Sequence, residues 1–118
     1  MTTFLIVDDH AAFRQQARAL LEAEGLVFVG EAHDATSAVE AVRMLRPDIV
    51  LLDIGLPWRD GFSVAEELQR EVTPPRVVLI SSRDELDYQS RISSSPAAGF
   101  VRKDDLSAAA LAAVLGGL

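Results

Sequence analysis

Asp8 and Asp9 follow the apolar run Phe4-Leu5-Ile6-Val7, and Asp53 follows a second run, Ile49-Val50-Leu51-Leu52. Each run reads as a buried strand that ends in carboxylate. In an open parallel α/β sheet, chemistry gathers outside the carboxyl ends of strands, where strand order reverses. Two such strands would bring three carboxylates to one edge. Carboxylates so placed repel one another unless a cation joins them. Their hard oxygens suit Mg²⁺, which takes a few carboxylates together with water and phosphate oxygens. Ser81 and Lys103 stand just beyond two later apolar runs, residues 76–80 and 99–102. A hydroxyl and an ammonium there can hold phosphoryl oxygens, the ammonium as a point charge. The chemistry within reach is phosphoryl transfer onto a carboxylate beside a divalent cation.

Simpler readings stand beside this one. Asp8 and Asp9 would also suit a helix N-terminus, where carboxylates cap free amides. Ser81 alone reads as a turn residue, with Ser82 as the alternative hydroxyl. Lys103 alone reads as a solvated charge, and Phe100 alone as core packing. His10 reads as a loop residue and His33 as surface; two scattered histidines do not make a zinc site. Trp58 is the only tryptophan. Its large amphipathic ring is expected to lie partly buried beside the site.

The elements that must position these residues alternate between strand and helix patterns. Strands are expected at residues 3–7, 26–30, 48–52, 76–80 and 99–102. The first helix carries an apolar stripe at Phe13, Ala17, Leu20 and Leu21, and Gly25 stops it. The second is capped by Asp34, carries Ala38, Val42 and Leu45, and must end before Pro47. The third carries Val64, Ala65 and Leu68. A weak fourth covers residues 84–92 and ends early, at Ser93-Ser94-Ser95-Pro96. Ser107 caps the fifth, which carries Leu106, Ala110, Leu111, Val114 and Leu115. Near-continuous apolar strands suit a parallel sheet covered on both faces. The expectation is one domain over residues 1–118, an α/β doubly wound five-stranded parallel sheet. Its strand order should be the flavodoxin-like 2-1-3-4-5.

Composition narrows the function. The chain has 118 residues, 49% of them apolar, which argues against disorder. No apolar run is long enough to span a bilayer, and no secretory signal shows at the N-terminus. There are no cysteines, so disulfides and thiolate chemistry are excluded, which fits a cytoplasmic protein. A net charge of −7 makes direct nucleic-acid binding by this chain unexpected.

The pattern Asp8-Asp9, then Asp53-Ile54-Gly55-Leu56-Pro57 with Asp60-Gly61, then Ser81, then Gly99-Phe100-Val101-Arg102-Lys103 resembles the receiver domain of bacterial two-component response regulators. The resemblance covers the whole chain. It implies that Asp53 is the phosphoacceptor and a sensor histidine kinase the donor. It implies that Mg²⁺ is held by Asp9, Asp53 and the Gly55 carbonyl, with Asp8 acting through bound water. It gives Ser81 and Lys103 a phosphoryl oxygen each, and makes Ser81 and Phe100 the switch residues. Asp8-Asp9-His10 and Lys103-Asp104-Asp105 look like the subgroup often joined to a helix-turn-helix output domain, so transcription is the expected output. A second copy of the chain stands as a further expected partner. The early end of the fourth helix departs from the family pattern and bears on the output surface.

Three rivals are weaker. An aspartyl phosphatase would carry Asp-x-Asp after one strand, whereas here the pair is adjacent. A flavin carrier would place Ser, Thr and Gly where Asp8-Asp9-His10 stand. A degenerate receiver would lack one of the acid, hydroxyl or lysine positions. A stand-alone receiver that relays phosphate or binds a protein remains the alternative to a transcription regulator. Turnover on outside substrates is not expected.

Overall fold

Apolar runs become strands where both faces of a sheet are covered. β1 (Thr3–Val7), β3 (Ile49–Asp53) and β4 (Arg76–Ser81) are buried over nearly their whole length. β2 (Val27–Ala32) and β5 (Gly99–Arg102) are mostly half-buried. All pair in parallel, in the order β2-β1-β3-β4-β5. The computed structural model describes all of residues 1–118. Strand order reverses between β1 and β3, so a crevice opens outside their carboxyl ends.

Side chains alternate across the sheet with a period of two. Leu5, Val7, Val50, Leu52 and Leu79 face α2 (Ala35–Leu45) and α3 (Gly61–Leu68) through Ala38, Val39, Val42, Val64 and Leu68. Phe4, Ile6, Ile49, Leu51, Val78 and Ile80 face α1 (Ala11–Ala23) and α5 (Ala108–Leu115) through Ala17, Leu21 and Leu111. Two cores therefore fix the central strands from both sides, and with them the aspartates at their ends.

The expected caps are present. Ser37 N–H donates to Asp34 Oδ1 at 2.8 Å, completing a capping box on α2. Ala110 N–H donates to Ser107 Oγ at 2.9 Å. Glu24 Oε1 accepts from Ala108 N–H at 3.0 Å, tying the start of α5 to the end of α1. Each such cap is worth about 1 kcal/mol.

Several boundaries differ from expectation. β2 runs to Ala32 rather than ending at Gly30. It is an edge strand with a register shift opposite Phe4 and Leu5, so its apolar run is not its boundary signal. Leu20 is exposed, which narrows the buried stripe of α1 to Ala17 and Leu21. Asp48 does not begin β3. Its carboxylate accepts from Thr3 N–H at 2.8 Å, and its own N–H donates to Thr3 Oγ1 at 2.9 Å, pinning β1 to β3 at their amino ends. The expected fourth helix divides into a 3₁₀ turn, Glu85–Tyr88, and a short α4, Gln89–Ser94. It ends where Ser93-Ser94-Ser95-Pro96 led one to expect, and no residue of α4 is buried. Met1, Thr2 and Leu118 line one cleft with Asp48, Pro75 and Arg76, at the amino ends of the strands. No helix is long and apolar enough to cross a membrane.

Candidate functional site

β1 and β3 run side by side, with Val7 opposite Leu52, so Asp8 and Asp53 emerge together. Asp8 is fully buried and Asp53 nearly so. Asp8 N–H donates to Ala32 O at 3.1 Å, which holds the first loop against β2. Arg14 braces the same loop from α1: its guanidinium donates to Asp8 O at 2.6 Å and to Glu31 at 2.5 Å. Neither Asp8 nor Asp9 caps α1. The N-cap is His10, without a side-chain cap bond, so the capping reading of the acidic pair fails.

Asp53 Oδ1 accepts from Gly55 N–H at 3.1 Å. Gly61 N–H donates to Ile54 O at 2.8 Å and closes the loop after β3. A Cβ on Gly61 would stand 2.5 Å from Asp53 O, so only glycine lets α3 start this close to the Asp53 backbone. Asp60 caps that helix, accepting from Ser63 N–H at 3.0 Å.

Lys103 reaches in from the end of β5. Its Nζ lies 2.6 Å from Asp8 Oδ2, 3.6 Å from Asp53 Oδ2 and 4.6 Å from the centre of the Phe13 ring. The Asp8 contact is an ion pair only, since the buried Oδ2 accepts no well-aligned hydrogen bond. Asp8, Asp9, His10 and Asp53 each offer a ligand atom, all within 4.8 Å of one another. Burial pushes the Asp53 carboxyl above its ordinary range, and the Asp8 charge adds to this. The Gly55 amide and Lys103 only partly oppose the shift. Crowded carboxylates whose ligand oxygens all lie within 4.8 Å of one another fit a hard divalent cation, which would offset their repulsion.

The residues expected from the sequence fall into three groups. Asp8, Asp9, Asp53 and Lys103 are brought together, and Gly55 lies beside the Asp53 carboxylate. Ser81 is buried at the end of β4, where its Oγ accepts from Arg83 N–H at 3.1 Å, while Ser82 is exposed. Phe100 sits apart, half-buried on β5 opposite Leu79, with its ring centre 6.5 Å from that of Tyr88. Trp58 corrects an expectation: it is 94% exposed, not partly buried. Its backbone is left-handed, φ 62°.

Sequence reasoning also missed three residues. His10 joins the carboxylates, a signal available in its adjacency to Asp8-Asp9. Arg14 and the pairing of Arg91 with Asp60 at 2.6 Å left no sequence signal.

A family model described as the response regulator receiver domain matches residues 4–115. NarL of Mycobacterium tuberculosis, named as a transcriptional regulatory protein, is 38% identical over 112 residues, covering 94% of this chain and 52% of the relative. BvgA of Bordetella pertussis, named as a positive transcription regulator of virulence factors, is 37% identical over 101 residues, covering 86% of this chain and 48% of the relative. The chain thus spans about half the length of these curated relatives. The solved signal receiver domain of NarL from M. tuberculosis superposes with a TM-score of 0.85 at 34% identity, covering 98% of this chain and 97% of that one.

Proposed function

The chain belongs to the response regulator receiver family and is a two-component phosphoacceptor switch, and on that premise we propose which residues operate it. Asp53 is the phosphoacceptor. Its carboxylate oxygen attacks phosphorus, the P–N bond of a sensor kinase phosphohistidine breaks, and the imidazole leaves. Water later hydrolyses the acyl phosphate, so the chemistry is directed at the chain itself. The observation that carries this assignment is the buried Asp53 carboxylate, clustered with Asp8 and Asp9 and with Lys103 Nζ 3.6 Å away.

Asp9, Asp53 and the Gly55 carbonyl are the proposed direct holders of Mg²⁺, with Asp8 behind them. When bound, that ion would offset charge on the carboxylate and the phosphoryl oxygens. Lys103 would exchange part of its contact with Asp8 for a phosphoryl oxygen, and Ser81 Oγ would take another. Movement of Ser81 would free space into which Phe100 turns, so phosphorylation shifts the population between two conformations. The relatives, about twice as long, are named as transcription regulators. By analogy, the switch governs transcription from the cytoplasm through a further domain, with a second copy of the chain as partner.

The test uses a small acyl phosphate donor, with and without Mg²⁺, read by mass spectrometry. One phosphoryl group should appear on Asp53 only with the metal, and Asp53→Asn should show none. A phosphopeptide mapped to another residue of the unaltered protein would overturn the assignment.

A further inference from the structure

His10 Nδ1 lies 3.1 Å from Asp8 Oδ1 and 3.1 Å from Asp9 Oδ1. Neighbouring ligands on an octahedral ion with bonds of about 2.1 Å stand about 3.0 Å apart, and opposite ones about 4.2 Å. The ring nitrogen already keeps a ligand's spacing from Asp9 Oδ1, a proposed direct holder, and the four-residue set, spread over at most 4.8 Å, would need to draw in slightly to close on one ion. Packing does not impose this arrangement, because the His10 side chain is 69% exposed. The backbone helps: His10 N–H donates to Asp8 Oδ1 at 2.8 Å, which places the residue over the cluster. Beneath it, the buried Asp8 Oδ2 has Lys103 Nζ 2.6 Å away.

Resting on the receiver reading, we infer that His10 is a nitrogen ligand at the cation site and sets its metal preference. Mg²⁺ seeks oxygen and keeps several waters, so it gains little from an imidazole. Borderline ions such as Ni²⁺ take imidazole readily. The site is therefore open to a transition metal through a ligand that Mg²⁺ leaves unused. The competing role for the ring is a hydrogen bond to one carboxylate, which would act on every cation alike. The pairing of Lys103 with Asp8 is left in place by every variant compared below.

Calorimetric titration of the unaltered protein, His10→Gln and His33→Gln with Mg²⁺ and with Ni²⁺ separates these roles. His33 is the control, because its Nε2 also lies near a carboxylate, 3.5 Å from Asp34 Oδ2. His10→Gln should lower Ni²⁺ affinity by roughly tenfold or more, since even losing a group behind a ligand costs about that much. Mg²⁺ affinity should stay unchanged, and His33→Gln should alter neither. Intact Mg²⁺ binding with unchanged Ni²⁺ affinity in His10→Gln overturns this inference alone, as does a parallel fall for both ions. No Mg²⁺ binding by the unaltered protein overturns the proposed metal site, and this inference with it.

Discussion

Asp53 works against the fold that holds it. Burial, then the charge of Asp8, raises its pKa, so the folded chain holds that proton more tightly than the unfolded chain does. Above the raised value the ionised carboxylate therefore lowers stability. Asp53→Asn should raise Tm by a few degrees at neutral pH in chelator, and Mg²⁺ should close the gap by stabilising the parent. Identical melting of the two proteins in chelator would count against carboxylate crowding. Gly61 offers a second test, because its added Cβ would meet Asp53 O and Ile54 Cα, backbone atoms that cannot swing aside. Gly61→Ala should cost about 1–3 kcal/mol in urea unfolding and weaken Mg²⁺ binding. Stability lost with metal affinity intact would show that the strain stops short of the site. The cluster of Asp8, Asp9, Asp53 and Lys103 was legible because each stands at the end of an apolar run, and sheet topology does the rest. His10 was weighed only by counting histidines, so its neighbours were overlooked. Trp58 was misplaced because the size and amphipathic character of its ring do not say which way a loop residue points.

At the scale of elements, α4 is the loosely held piece. None of its residues is buried, and Arg91 is its clearest polar tie to the body. The guanidinium meets Asp60 at 2.6 Å and lies 4.2 Å over the Phe62 ring. Burial alone would raise the Asp60 pKa, but hydrogen bonds from Arg91 and Ser63 N–H outweigh it and leave the value lowered. A lowered carboxyl stabilises above the unfolded value, here 3.8, and loses that effect as pH falls through the folded one. Arg91→Ala should speed amide exchange at residues 89–94 at neutral pH, with under about 1 kcal/mol of global cost because the pair is partly exposed. The contrast between parent and variant should shrink on acidification below Asp60's lowered value. Unchanged exchange at neutral pH would mean that α4 is held by Tyr88 and Ile92 instead. The sequence foretold that this helix would stop early, since Ser93-Ser94-Ser95-Pro96 cannot extend it. It did not foretell the latch, because nothing local links residues 31 positions apart on two exposed surfaces. The central strands were legible from burial on both faces, whereas the edge strand β2 lacks that signal and was placed short.

For the molecule as a whole, the parallel sheet puts every strand pairing far apart in sequence, and the strand order says which end is which. The carboxylate cluster lies at the carboxyl ends. Residues 1 and 118 share a cleft at the amino ends, beside Asp48 and Arg76. Termini so close together make circular permutation feasible. Bridging 118 to 1 with a short Gly/Ser linker, and reopening the chain beside the fully exposed Val72, should preserve the fold and Mg²⁺ affinity. Circular dichroism and calorimetry would check this, and a molten product would show that the amino-end clamp of Thr3 and Asp48 needs a free first residue. The same arrangement sets the traffic around the molecule. Polypeptide tethered at either end would trail from the pole opposite the carboxylate cluster, so under the proposed function a docking donor and a towed cargo would approach from different hemispheres.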